Sequence, residues 1–299
     1  MATATSMPVK TREIQTCICD STRWKWFTYR DDDIVVATYG KTGTTWTQQI
    51  VSQLVLGPEE SDLFNDSPWL DLRVIPLELV LGGLEAQAHR RFLKTHLPLD
   101  ALLFSPKAKY IYIARDGRDT AWSLHNHHAG FTPQTYDWFN SIPGRVGPPM
   151  APPPADVVQY FREWLDGGGL QLGATFFEHV QGWWDARHLP NVLLVHFNQL
   201  KADLPRQMRR IAAFLGIAIN EERFPTMVEH CTFEYMRNFA KAPILDQIFQ
   251  KGGATFFNKG TNGRWRDLLT AADLEEYARV ERERLTPDCA RWVATGEMA

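Results

Sequence analysis

The segment Tyr39-Gly40-Lys41-Thr42-Gly43-Thr44-Thr45-Trp46 places one lysine, two glycines and three threonines between two runs of different periodicity. Ahead of it, Ile34-Val35-Val36-Ala37-Thr38-Tyr39 is β-favouring and stops at Gly40. Behind it, Trp46, Ile50, Val51, Leu54 and Val55 recur at helical spacing. A sharp strand-to-helix turn leaves the first helical N–H groups without internal partners, at the positive end of the helix dipole, where they can hold a phosphate or sulfate. Lys41 adds a full charge. The G-x-x-x-x-G-K-[ST] loop of triphosphatases also ends in Gly-Lys-Thr, but it requires glycine at position 35, where Val35 lies inside the strand.

Other residues could complete such chemistry. His96 follows a short strand expected over Arg91 to Lys94, a place that by itself does not set it apart from the other eight histidines. With a reference pKa of about 6.5, an imidazole is mostly unprotonated near neutrality and can accept a proton. Arg115 ends the apolar run Tyr110-Ile111-Tyr112-Ile113-Ala114 and offers a planar fork for phosphate, with Ser123 about two turns into the next helix. Arg118 and Asp119 read equally well as a surface pair and are assigned no chemistry. His125, His127 and His128 cluster in sequence, but neighbours at i, i+2 diverge on a helix, so no metal site is expected. Cys17 and Cys19 have no Cys or His partner nearby and make a poor zinc site, and the four cysteines suit a reducing compartment.

These residues need a scaffold, and the repeated β-then-α pattern supplies one. Asn191 to Phe197 is a further buried strand. A helix capped by Asp203 follows, with Pro205 in its first turn and Gly216 as its stop. Thr270-Ala271-Ala272-Asp273 opens a charged helix with a capping box. The expected fold is α/β, a single domain over 1–299 with a parallel sheet flanked by helices on both faces and ligands beyond the carboxyl ends of the strands. Residues 1–30 are set apart as an N-terminal extension. Residues 144–169 form a Pro/Gly-rich loop region around a short helix near Val157 to Leu165, either a lid or a plain surface excursion.

A net charge of -3 gives no general attraction to polyanions, so nucleic acid is not an expected partner. No apolar run approaches the roughly 20 residues that cross a bilayer, and no basic-then-apolar leader is evident; membrane insertion is not expected and the location reads as cytoplasmic.

Gly40-Lys41-Thr42-Gly43-Thr44-Thr45-Trp46 resembles the Pro-Lys-Ser-Gly-Thr-Thr-Trp loop of the cytosolic sulfotransferases, and three further landmarks follow in order. Lys94-Thr95-His96-Leu97-Pro98 is similar to the family's Lys-Thr-His-Leu-Pro segment, whose histidine is the catalytic base. Tyr110 to Ser123 resembles the element that holds the donor's 3′-phosphate. Phe257-Asn258-Lys259-Gly260-Thr261-Asn262-Gly263-Arg264-Trp265 resembles Arg-Lys-Gly-x-x-Gly-x-Trp, with Asn258 where the family has arginine and Arg264 and Arg266 as candidate replacements for its charge.

The resemblance implies 3′-phosphoadenosine 5′-phosphosulfate (PAPS) as donor, no metal, and a P-loop-like turn for its phosphosulfate. It implies catalytic roles for His96, Lys41 and Lys94. Donor contacts fall to Lys41, Thr42, Gly43, Thr44, Thr45, Trp46, Arg115, Ser123, Asn258, Lys259 and Gly260. Phe197, Thr232 and Phe233 stand where the family places its adenine pocket, with Phe197 replacing a tyrosine. The acceptor is a small molecule bearing a hydroxyl or amine, and the many aromatic residues lean toward an apolar phenol or alcohol. A Lys-Thr-Val dimer contact is not evident in Lys241 to Ile248, and the oligomeric state stays open. A kinase would need magnesium, so activity that survives a chelator separates the two enzyme classes.

Overall fold

The computed structural model describes residues 7–62 and 65–298. Four parallel strands, β1 (Ile34–Thr38), β2 (Phe92–Thr95), β3 (Lys109–Ala114) and β4 (Val192–His196), form one sheet in the order β2-β1-β3-β4. Because the strands are covered on both faces, they read as nearly continuous apolar runs. Alternate residues serve opposite cores. Val35, Ala37, Leu93, Tyr110 and Tyr112 face one core, while Ile34, Val36, Phe92, Ile111 and Ile113 face the other.

The second core is closed by α1 (Thr44–Leu56) through Ile50, Val51 and Leu54, and by helix Leu204–Leu215 through Met208, Ile211 and Leu215. That helix has the expected Asp203 cap and stops at Gly216 in the left-handed conformation, φ 72°. On the other face, helix Phe176–Asp185 contributes Phe176, Phe177, Val180, Trp183 and Trp184. Three further helices border the site: α2 (Leu77–Ala86), α3 (Gly117–Ala129) and α4 (Pro133–Asn140). The capping box at Thr270 and Asp273 and the short helix Val157–Leu165 are both present as expected.

The 1–30 segment, set apart as an extension, is integrated into the first core from Ile14 onward, with Cys17, Ile18, Cys19, Trp24 and Phe27 buried. At the lower edge of the sheet, Arg91 grips Asp33 with two bonds of 2.8 and 2.6 Å, both side chains being buried. Arg91 also lies over the Phe27 ring, which ties this segment to β2.

The order β2-β1-β3 makes a topological switch at β1. The chain steps outward from β1 to β2 and then back past β1 to β3, so the connections run in opposite directions about β1 and open a crevice beyond the strand ends. Each strand delivers one piece of chemistry there: the Lys41 turn after β1, Lys94 and His96 around the end of β2, Arg115 after β3, and Phe197 after β4.

Candidate active site

The turn after β1 is held by unusual backbone. Lys41 has φ 68° and Gly43 φ 124°. A side chain on Gly43 would meet Ile113 Cδ1 at 2.7 Å and Phe197 Cδ2 at 3.2 Å, so glycine is required both by conformation and by space. Thr42 is fully buried, and its hydroxyl bonds the carbonyls of Tyr39 (2.8 Å) and Ile113 (3.0 Å), stitching the turn to the end of β3. No side chain caps α1, since its N-cap is Gly43. Its first-turn donors are therefore available to an external anion.

His96 sits at the end of β2 with a defined tautomer. Its Nδ1 lies 2.8 Å from the Thr38 carbonyl and 3.0 Å from the Thr38 hydroxyl. A carbonyl only accepts, so Nδ1 carries the hydrogen and Nε2 keeps the lone pair. The rest of the residue is clamped as well. Its N–H donates to Asp71 Oδ2 at 3.2 Å, its carbonyl accepts from His179 Nε2 at 3.2 Å, and its ring meets Trp69 edge-on at 4.6 Å. Burial, helped by the charge of Lys94, pushes the His96 pKa down to about 3. Burial likewise lowers Lys41 and Lys94 to about 8, with Arg115 and Lys94 adding repulsion at Lys41 and Asp71 partly countering at Lys94. Buried cations that repel one another make the cavity electropositive and suit it to an anion.

At the far end, Arg115 stacks over the Phe197 ring at 4.5 Å, and Trp46 meets the same ring edge-on at 5.3 Å. The Trp46 indole donates to the Cys231 carbonyl at 2.7 Å, which fixes this aromatic corner. The Arg115 fork bonds Asn262 Oδ1 (3.0 and 2.6 Å) and the Thr261 carbonyl (3.0 Å). Gly260, with φ 61°, lets its loop pass over Phe233: a side chain there would stand 3.1 Å from that ring. Lys201 secures the same loop by donating to the Gly260 carbonyl at 3.0 Å.

All of this surrounds a cavity of about 1210 Å³. Lys41, Gly43, Thr44, Thr45, Trp46, Lys94, His96, Arg115, Ser123, Phe197, Phe233, Asn258, Lys259 and Gly260 line it together. Thr42 and Thr232 do not: the Thr42 hydroxyl pins the turn, and the Thr232 hydroxyl bonds the Glu229 carbonyl and caps a short helix. Arg264 lines the cavity, over the Trp122 ring at 5.6 Å, as does the exposed Asn258, whereas Arg266 does not line it. The 144–169 region adds no lining residue. Residues between Ala242 and Arg264 do, from the short helices Pro243–Ile248 and Gly253–Phe256 and the loop after them.

Sequence reasoning missed Asp71, which holds His96, and Asn262, which fills the Arg115 fork; Trp69 counted only as one of many aromatic residues that could surround His96. It also passed over His127, whose Nδ1 lies 3.3 Å from Lys41 Nζ. Nothing in local spacing marks Asp71. Asn262 lay inside a recognised segment, and that was the available signal. The three clustered histidines do diverge: His125 bonds the Pro154 carbonyl at 2.8 Å, His128 packs near Tyr136, and His127 turns to the cavity. Among the described residues no group of three or more His, Cys, Asp or Glu could hold a metal ion, and no helix is long and apolar enough to cross a membrane.

A switch-point crevice that combines an uncapped helix start, two lysines and a tautomer-fixed histidine defines a transferase site for an anionic group. The chain belongs to the sulfotransferase domain family, which matches residues 31–287. It is 33% identical over 303 residues to a "Glycolipid sulfotransferase" of Mycobacterium bovis, covering 93% of each chain. It is 29% identical to "Sulfotransferase 1A1" of Rattus norvegicus, covering 88% of this chain and 87% of that one. Among solved structures, the fold resembles a mouse sulfotransferase complexed with PAP, with a TM-score of 0.67, 22% identity and 91% of each chain covered. It also resembles retinol dehydratase in a complex with retinol and PAP, with a TM-score of 0.70 and 23% identity over 90% of this chain and 87% of that one.

Proposed function

We propose that this sulfotransferase takes the sulfuryl group from PAPS and passes it to a hydroxyl, or an amine, of an apolar acceptor, with His96 as general base. The observation that carries this reading is the juxtaposition in one cavity of the Lys41 turn and a His96 whose Nδ1 is committed to Thr38. The acceptor oxygen attacks sulfur and gives its proton to Nε2. The bond from sulfur to the bridging phosphate oxygen breaks, and its electron pair stays on the phosphate of departing PAP. Lys41, Lys94 and the N–H groups at the start of α1 neutralise that oxygen.

The 3′-phosphate belongs at Arg115 and Ser123, where it would replace the oxygens of Asn262 and Thr261 in the arginine fork. Arg264, whose charge bears on Arg115, supplies the cation that Asn258 lacks. The adenine lies against Phe197, Trp46 and Phe233, whose rings give stacking surface without a hydroxyl partner.

The acceptor half supports an apolar substrate. Leu79 of α2, Trp138 of α4 and Ile244 line the cavity yet are among the large apolar side chains most exposed to solvent. An apolar body extending from the His96 end toward this mouth would cover them. An acceptor made of a polar group on a hydrocarbon body fits better than a free carbohydrate, and the mycobacterial relatives are named for glycolipids.

The test is calorimetry with PAP from pH 6 to 10, with transfer of labelled sulfate to phenols, alcohols, lipid-linked sugars and free sugars. Bound anion raises the lysine pKa values above those of the free protein, so the complex holds more protons. Affinity is therefore full below about pH 8 and weakens as pH rises through the free-state value of about 8. The slope is about tenfold per pH unit for each lysine whose proton is required. Absence of binding heat at any pH sinks the donor assignment. Faster transfer to free sugars than to apolar alcohols sinks the acceptor class.

A further inference from the structure

Lys41 leaves its turn in a left-handed conformation and reaches across the cavity to α3. Its Nζ lies 3.3 Å from His127 Nδ1 and 4.9 Å above the Phe256 ring. An ammonium can only donate, so Nδ1 must accept and the hydrogen of His127 sits on Nε2. The imidazole is fixed edge-on by Phe131 at 5.1 Å and Phe249 at 5.0 Å, which leaves the lone pair aimed at one place.

The charged groups that bear on Lys41 are Arg115 from the end of β3 and Lys94 from β2, both cations. The other titratable groups near His127 are His128 on its own helix and His96 from the end of β2. An ammonium buried among cations loses solvation and meets repulsion, and a neutral lone pair offsets part of both.

We infer that His127 is a positioning residue for sulfuryl transfer, accepting one hydrogen bond from Lys41 so that the ammonium stays charged and presents its other two donors to the phosphosulfate. This rests on the proposed role of Lys41 at the donor, and it adds a residue outside the four landmark segments of the family. His127 touches neither the donor nor the departing oxygen in this scheme; it acts through the lysine.

Two substitutions separate this role from packing. His127→Phe keeps an aromatic ring among Phe131, Phe249 and Phe256 but removes the acceptor. His127→Asn supplies a carbonyl oxygen close to where Nδ1 stood. The readout is PAP affinity against pH by calorimetry, with kcat and donor KM at pH 7 and a thermal melt as a folding control. Without the lone pair the Lys41 ammonium is harder to keep, so in His127→Phe the alkaline loss of PAP affinity moves down by about one pH unit and kcat falls about tenfold. His127→Asn restores the wild-type profile. The same alkaline midpoint in all three proteins, or an Asn variant displaced as far as the Phe variant, overturns the inference. Wild-type protein that fails to bind PAP would instead overturn the donor reading.

Discussion

His96→Ala should lower kcat by about 10²-fold or more while PAP affinity stays within about threefold of wild type, because the imidazole is placed for the acceptor proton and not for the nucleotide. The clamp on the residue explains why the loss should be large. Nδ1 is bound to Thr38, the backbone N–H to Asp71 and the ring to Trp69, so Nε2 is oriented before any ligand arrives. The pH profile sharpens the test. Burial lowers the free-protein pKa to about 3, so the base remains neutral far below the usual imidazole range, and kcat/KM should show no acid limb near 6.5. Once donor is bound, its negative charge stabilises the imidazolium and raises that pKa, strengthening the base when it is needed. The acid limb of kcat must therefore lie at higher pH than that of kcat/KM. His96→Gln, which can hydrogen-bond but cannot store a proton, should be as slow as the alanine variant. A glutamine variant within tenfold of wild type would reduce His96 to an orienting group.

The parts of this site that the sequence made legible are those governed by local rules. The turn at Lys41 stands between two periodicities, and Gly43 marks a backbone no other residue can follow without striking Ile113. Three of the four strands were readable because strands buried on both faces are nearly continuous apolar runs, β2 with its Lys94 and Thr95 being the exception, and the limits of all four shift by only a residue or so. Arg115 followed from its place at a strand end, whereas Lys94 and His96 were marked only by the resemblance of their segment to the family's and by its order among the other landmarks. What stayed hidden depends on meetings across the chain. Asp71 reaches His96 from a loop 25 residues earlier, and Asn262 reaches Arg115 across 147 residues. Thr42 and Thr232 entered the donor site through the resemblance alone, Thr42 from the family's loop and Thr232 from its adenine-pocket segment. Their hydroxyls bond the backbone carbonyls of Tyr39 and Glu229, partners that only the folded turns bring within reach. The integrated N-terminal segment was missed for a similar reason: Cys17, Ile18 and Trp24 form no periodic pattern and gain their apolar neighbours only in three dimensions.

Lys41→Ala should reduce turnover at saturating donor by about 10²–10³-fold, the scale seen when one preorganised donor to a developing oxyanion is removed. Lys94 remains and supplies part of the charge, but its ammonium sits 5.0 Å above the Trp69 ring, the same ring that packs against His96, and does not replace the donors lost at position 41. Replacement by arginine distinguishes charge from geometry. Lys41 in the free protein loses its proton near pH 8, whereas a guanidinium keeps its charge throughout the accessible range. In Lys41→Arg the part of the alkaline decline owed to this residue should vanish, leaving the shallower fall from Lys94, also near pH 8. Turnover at pH 7 should nevertheless remain at least tenfold below wild type, because a planar fork at the left-handed position 41 cannot reproduce a three-donor ammonium aimed at a single leaving oxygen. An arginine variant with wild-type turnover and an unchanged alkaline limb would mean that the cation needed for catalysis lies elsewhere in the cavity, with Lys94 and Arg115 as the remaining candidates.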